Sequence, residues 1–258
     1  MRGLRMWRCG VAGRELSGGA MAIGGILFDK DGTIIDYWRT WVPINRAAAL
    51  YAADGDKAIA DDLLRRAGHD PVTDRITPGS PLAAGDALDI AEAFATRPGI
   101  APAARLVGGI ERLFCTCSAK HSLLISGVRD TLAELKQRGL RIGLATNDTC
   151  AGLQASLAPH DILGLFDFAA GCDAGFGSKP DPRMVEGFCV AVGLSPIEVA
   201  MVGDAAQDLV MGRAAGVAIN VGVLSGTSRR QDLVGLADLL LDSVNELPQR
   251  PEFRAPTP

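Results

Sequence analysis

The sequence predicts an α/β fold, a mainly parallel sheet with helices on both faces, interrupted by an inserted α-helical domain. Three observations carry this. Short apolar runs end repeatedly in small, polar and acidic residues. Helical patterns alternate with those runs in the C-terminal half. The stretch 37–122 is rich in Ala, Leu, Asp and Arg and lacks any β-branched run.

The first run is Ile23 to Phe28, ending in a charged cluster as a buried parallel strand does when its carboxyl end opens onto a site. The insertion follows, with candidate helices over Pro43 to Ala53, Lys57 to Ala67, Gly85 to Ala95 and Ala101 to Cys117. Pro71, Pro78, Pro81 and Pro98 punctuate them. Val128 to Arg138 reads as a helix stopped by Gly139, and Leu140 to Ala145 as the second strand. Asp181 is a good N-cap for a helix over Pro182 to Val192, with Pro182 in the favoured first position. Val199 to Val202, a helix over Ala205 to Ala215, then Val217 to Val221 and Leu236 to Leu241 complete the pattern. The expected organisation is therefore a core of 21–36 and 123–248, a helical insertion of 37–122, a disordered extension or over-called start at 1–20, and a flexible tail at 249–258 with four prolines from Pro248 to Pro258.

Composition excludes several classes. With 48% hydrophobic and 22% charged residues the chain is an ordinary globular one. A net charge of −4 lacks the basic footprint of a nucleic-acid binder. No apolar run approaches bilayer-spanning length. Arg2, Arg5, Arg8 and Arg14 open the chain without the apolar stretch of a secretory signal. The six cysteines, Cys9, Cys115, Cys117, Cys150, Cys172 and Cys189, are scattered, so reduced thiols in a cytoplasmic protein are expected rather than a zinc site.

Four clusters carry chemistry. Asp29-Lys30-Asp31-Gly32-Thr33 follows the first strand; two carboxylates two apart can divide nucleophilic and proton-transfer work, and Gly32 permits a tight turn near a ligand. A surface turn is the bland alternative. Thr146-Asn147 ends the second strand and offers a hydroxyl and an amide for phosphate oxygens, although such residues are also ordinary turn chemistry. Lys179 and Asp181 both precede prolines, so Lys179 lies in an extended loop, free to enter a site. Gly203 to Asp208 follows another strand, and two acids four apart suit Mg²⁺; the competing reading is helix capping by Asp204.

In this order the four clusters resemble the haloacid dehalogenase-like (HAD) hydrolase superfamily over residues 22 to 248. The resemblance implies a Rossmann-like core and a helical cap like that of its phosphoglycolate phosphatase and β-phosphoglucomutase branch. Gly79-Ser80-Pro81-Leu82-Ala83-Ala84-Gly85 also looks like bacterial members of that branch. By motif, Asp29 would be the nucleophile that forms an aspartyl-phosphate. Asp31 would protonate the leaving alcohol and then activate water. Asp29, the Asp31 backbone carbonyl and Asp204 would bind Mg²⁺, with Asp208 in support. Thr146, Asn147, Gly32 and Lys179 would hold the phosphoryl group. Lys30 stands where many relatives carry an apolar residue, and strand-like alternation points its side chain away from both acids.

The implied activity is Mg²⁺-dependent hydrolysis of a small phosphorylated metabolite, a phosphoglycolate-like acid or a sugar phosphate, with no nucleic-acid or membrane partner. A phosphomutase on the same site and a catalytically silent binding module are the alternatives. Asp31 argues against a dehalogenase. Candidate specificity residues in the cap are Arg39, Trp41, Asn45, Arg46, His69, Arg75 and Arg97.

Overall fold

A computed structural model describes residues 23–254. The expected extension at 1–20 lies outside them. Six strands, β1 (Gly25–Asp29), β2 (Arg141–Ala145), β3 (Phe168–Ala170), β4 (Val199–Gly203), β5 (Ile219–Val223) and β6 (Leu239–Leu241), form one parallel sheet in the order β3-β2-β1-β4-β5-β6. The chain builds outward from β1 to β3, then returns to lay β4 on the other edge of β1. That reversal opens a crevice beyond the carboxyl ends of β1, β2 and β4, the place where such sheets bind ligands. The sequence pattern misses β3, whose three residues are too few to show a period.

Alternation along the strands sorts the two faces. Ile26 and Phe28 pack in one cluster with Val128 and Leu132 of α6 (Val128–Gln137) and Leu153 and Leu157 of α7 (Cys150–Leu157). Leu27 points the other way, into a cluster with Val185 and Phe188 of α8 (Arg183–Val192) and Met211 of α9 (Ala206–Ala215). A short α10 (Arg230–Leu233) precedes β6.

Between β1 and α6 lie α1 (Tyr37–Ala52), α2 (Lys57–Arg66), α3 (Pro81–Ala84), α4 (Ala87–Ala95) and α5 (Ala103–His121). They bury an apolar cluster of their own that includes Trp41, Ile44, Leu63, Leu64, Phe94 and Ile110. Asp36, Asp56 and Asp86 start α1, α2 and α4 by accepting first-turn N–H groups. Asp36 moves the start of α1 six residues ahead of the one expected at Pro43; Pro43 sits inside the helix on an exposed turn, where solvent reaches the carbonyl it leaves unbonded. The two connections to the sheet run side by side: Asp36 N–H donates to the Leu123 carbonyl at 2.8 Å, and Ile125 N–H to the Ile34 carbonyl at 3.0 Å.

Two local expectations are corrected. α8 begins at Arg183 with Pro182 at the N-cap, while the Asp181 carboxylate accepts from Arg183 N–H just outside. Of the tail expected to be loose over 249–258, residues 255–258 lie outside the described residues, and the described part turns back at Pro251–Phe253. Phe253 is fully buried against the first cluster, and Arg138 donates to its carbonyl at 3.1 Å, because a large aromatic there gains more from burial than the prolines cost.

Candidate active site

β1 ends at Asp29 and the chain turns at once. Gly32 adopts φ +87°, and Ile34 and Ile35 N–H both donate to the Lys30 carbonyl at 2.9 Å. A Cβ at Gly32 would stand 2.7 Å from the Asp204 carboxyl carbon. Glycine is thus required twice over, for its conformation and for the close approach of the β1 and β4 loops.

The structure gathers the predicted residues around Asp29. Lys179 Nζ bonds Asp29 Oδ1 and reaches Asp208 Oδ1 at 2.7 Å, and all three groups are buried. Asp29 Oδ2 is buried with no hydrogen-bond partner. Asp204 does not cap α9. Its carboxylate accepts from Thr227 N–H at 2.8 Å, and Asp208 Oδ2, one turn into the helix, accepts from Ala205 N–H at 3.0 Å. Thr146 is buried, its hydroxyl accepting from Asp148 N–H at 3.1 Å. Asn147 ties three segments together: its Oδ1 accepts from Lys179 N–H at 2.8 Å and its Nδ2 donates to the Ala84 carbonyl of the insertion at 3.0 Å.

Lys30 departs from expectation. The strand stops at Asp29, so strand alternation no longer governs the next residue. The Lys30 side chain is fully buried and its Nζ lies 3.1 Å from Asp31 Oδ2, 2.7 Å from Asp148 Oδ2 and 3.3 Å from Ser156 Oγ. It also stands over the Trp41 ring, 5.3 Å from its centroid, and Trp41 Nε1 donates to Asp31 Oδ1 at 2.5 Å. Asp31 is therefore held from two sides by residues on different elements.

Burial dominates the titration of these acids. It pushes Asp29 up to about 6, against the opposing pull of Lys179 and with a smaller upward push from Asp208. Burial likewise pushes Asp31 up to about 6, opposed by Lys30, while Asp148 and Asp29 add to the rise. Asp204 is held well above the usual carboxylate range by burial and by the neighbouring Asp29 and Asp208. Burial alone would lower Lys179 and Lys30, but Asp208 and Asp29 around the first, and Asp148 and Asp31 around the second, hold both above the usual lysine value.

One oxygen from each of Asp29, Asp204 and Asp208 lies within 4.8 Å of the others. Lysine charge answers only part of this set, and Asp29 Oδ2 still lacks a partner. Hard oxygen donors in negative excess fit a divalent cation such as Mg²⁺.

A cavity of about 150 Å³ joins these acids to the insertion. Of the candidate specificity residues, Trp41 and Asn45 line it. Arg46 is tied to Asp74 and the Pro71 carbonyl, Arg97 to Asp62, and buried His69 to Asp74 at 2.9 Å. Arg39 is exposed, and Arg75 faces a separate cleft with Arg65 and Arg229. Sequence reasoning missed the loop after β5. Ser225 Oγ donates to the Gly32 carbonyl at 2.6 Å, and Thr227 N–H holds Asp204. Its position beyond a strand's carboxyl end was the available signal.

A family model described as a haloacid dehalogenase-like hydrolase matches residues 23–216. A phosphoglycolate phosphatase of Escherichia coli K12 is 28% identical over 248 residues, covering 87% of this chain and 91% of the relative. An N-acetylmuramic acid 6-phosphate phosphatase of Pseudomonas putida is 30% identical over 200 residues, covering 76% of this chain and 81% of the relative. Among solved structures, that of CbbY from Rhodobacter sphaeroides in complex with phosphate superposes with a TM-score of 0.65 at 23% identity, covering 87% of this chain and 96% of that one.

Proposed function

Since the chain belongs to the haloacid dehalogenase-like hydrolase family, we propose that it is a Mg²⁺-dependent phosphatase of small phosphate monoesters that works through an aspartyl-phosphate on Asp29. It is a phosphoric monoester hydrolase, in keeping with the phosphatases it resembles. The observation that carries the mechanism is the state of Asp29: it stands at the end of the central strand, with Lys179 on one carboxylate oxygen and nothing on the other.

Asp29 Oδ2 is free to attack phosphorus, forming the acyl phosphate as the bond to the ester oxygen breaks. Asp31, pushed up to about 6, gives its proton to the departing alkoxide. The same carboxylate then takes a proton from water as that water attacks phosphorus, releasing phosphate and restoring Asp29. Trp41 and Lys30 orient Asp31 for both proton transfers. Lys179 balances charge on Asp29, while Thr146, Asn147 and the Gly32 turn would hold the phosphoryl oxygens. Asp29, the Asp31 backbone carbonyl and Asp204 would hold Mg²⁺, with Asp208 in support. When bound, the ion would supply positive charge that offsets the repulsion of the entering phosphate by these acids.

We read the helices of 37–122 as a cap over this core, joined through the paired connections at Asp36 and Leu123. A cap enclosing the cavity favours a small metabolite over a macromolecule. Among the described residues no helix is long and apolar enough to cross a membrane, and the described cysteines are all free, which suits the cytoplasm. Of the two leaving groups expected from sequence, an acid of the phosphoglycolate type and a sugar, the cavity wall described below favours neither.

The test is phosphate release from p-nitrophenyl phosphate with and without Mg²⁺, and after borohydride trapping, which converts an aspartyl-phosphate at position 29 to homoserine. Turnover in excess chelator, or trapping at another residue, would overturn the reading.

A further inference from the structure

The cavity above Asp29 has two unlike halves. The core half carries Asp29, Asp31, Asp204 and Asp208, whose charge the lysines offset in part and the proposed cation would offset further. On the insertion side the wall is apolar, built from Leu82, Leu88, Ile90, Val107 and Phe114. Several of its polar groups are already engaged. The Tyr37 hydroxyl donates to the Leu82 carbonyl, and the Asn45 amide donates to that hydroxyl at 3.3 Å. Asp86 lines the cavity while accepting from Leu88 and Asp89 N–H at 2.9 and 3.0 Å. Glu111, on α5, adds a second carboxylate to the same wall. Among the described residues no Arg, Lys or His lines this cavity.

We propose that the leaving group of the natural ester is an uncharged, predominantly apolar alcohol, and that esters with an anionic leaving group such as glycolate are poor substrates. This rests on the phosphatase reading above and specifies its substrate. The phosphate is one anion and finds its compensation in the core. A second anion on the leaving group would lie against Asp86 and Glu111 with no Arg, Lys or His in the lining to answer it, and an unpaired charge taken out of water is costly. A sugar would strip its hydroxyls of water against side chains that offer few hydrogen bonds in return. An aliphatic or aromatic alcohol meets neither cost and removes the apolar wall from water. Discrimination by an unanswered charge is a common route to specificity.

The experiment compares kcat/KM, with Mg²⁺, for benzyl phosphate, 2-phosphoglycolate and glucose 6-phosphate, with p-nitrophenyl phosphate as the common reference. Benzyl phosphate is expected to exceed each of the other two by tenfold or more. Glu111→Lys is expected to raise the ratio of phosphoglycolate to benzyl phosphate at least fivefold, and Glu111→Gln to raise it by less. Either competitor matching benzyl phosphate in the wild type, or a ratio unmoved in both variants, overturns the inference. Failure to hydrolyse any of the four esters removes the phosphatase reading itself, and this proposal with it. Hydrolysis of p-nitrophenyl phosphate together with a preference for phosphoglycolate removes this proposal alone.

Discussion

Taking the charge from Asp29 changes chemistry and stability in opposite directions. Asp29→Asn removes the attacking anion, so phosphate release should fall by several orders of magnitude. The folded carboxylate titrates near 6 against an ordinary value of 3.8, so the folded state binds the proton more tightly than the unfolded chain does. That preference costs stability increasingly as pH rises from about 4 through 6. Above that range the metal-free Asn variant should be as stable as the wild type or more so, by on the order of 1 kcal/mol, because Lys179 keeps Asp208. Urea unfolding in chelator at pH 7.5 checks this, and a clearly destabilised variant would contradict it. Lys30 behaves in the reverse sense. Lys30→Met leaves Asp148 without its buried partner and should cost about 3–5 kcal/mol, while adding Asp148→Leu should recover much of the loss by replacing a broken ion pair with an apolar one. Neither side chain's environment was legible in the sequence. Lys30 sits one residue beyond the strand, and Asp148, 118 positions away, reaches it only through the β1–β2 pairing.

At the scale of elements, the strand ends were legible because each is a local signal, an apolar run breaking into Asp, Thr-Asn or Gly-Asp. The loop after β5 carried no such cluster, yet it shapes the site. A Cβ on Gly226 would lie 1.8 Å from Asp204 Oδ2, so Gly226→Ala must displace the carboxylate or the loop. The chain should still fold, and the Mg²⁺ concentration for half-maximal activity should rise about tenfold or more. A metal titration of the rate checks this, and an unchanged midpoint would remove Asp204 from the metal set. β3 and α7 escaped the sequence reading for a related reason. Three strand residues and an eight-residue helix of mixed small side chains show too little period to stand out from loop.

For the whole molecule, protons and metal compete for one buried set of acids. Asp29, pushed up to about 6, and Asp204, held well above the ordinary carboxylate range, are the carboxylates proposed to hold the ion, and acid keeps both protonated and neutral. Mg²⁺ requires their ionised forms. The rise in melting temperature produced by Mg²⁺ should therefore be small at pH 5 and grow through pH 7, a trend that thermal melts with and without metal would measure; a shift independent of pH would place the ion elsewhere. The amino-acid sequence by itself determined the fold class, the helical stretch after the first strand and the residue types gathered at the candidate site, because strand periodicity, proline and glycine punctuation and short acidic motifs are local. Tertiary structure decided which of these groups meet and how each is left. It buried Lys30 between two acids, left Asp29 Oδ2 unpartnered, and turned the insertion's arginines away from a cavity walled by apolar groups and carboxylates. Charge environment and accessibility are set by residues far apart in the chain, and no local pattern encodes them.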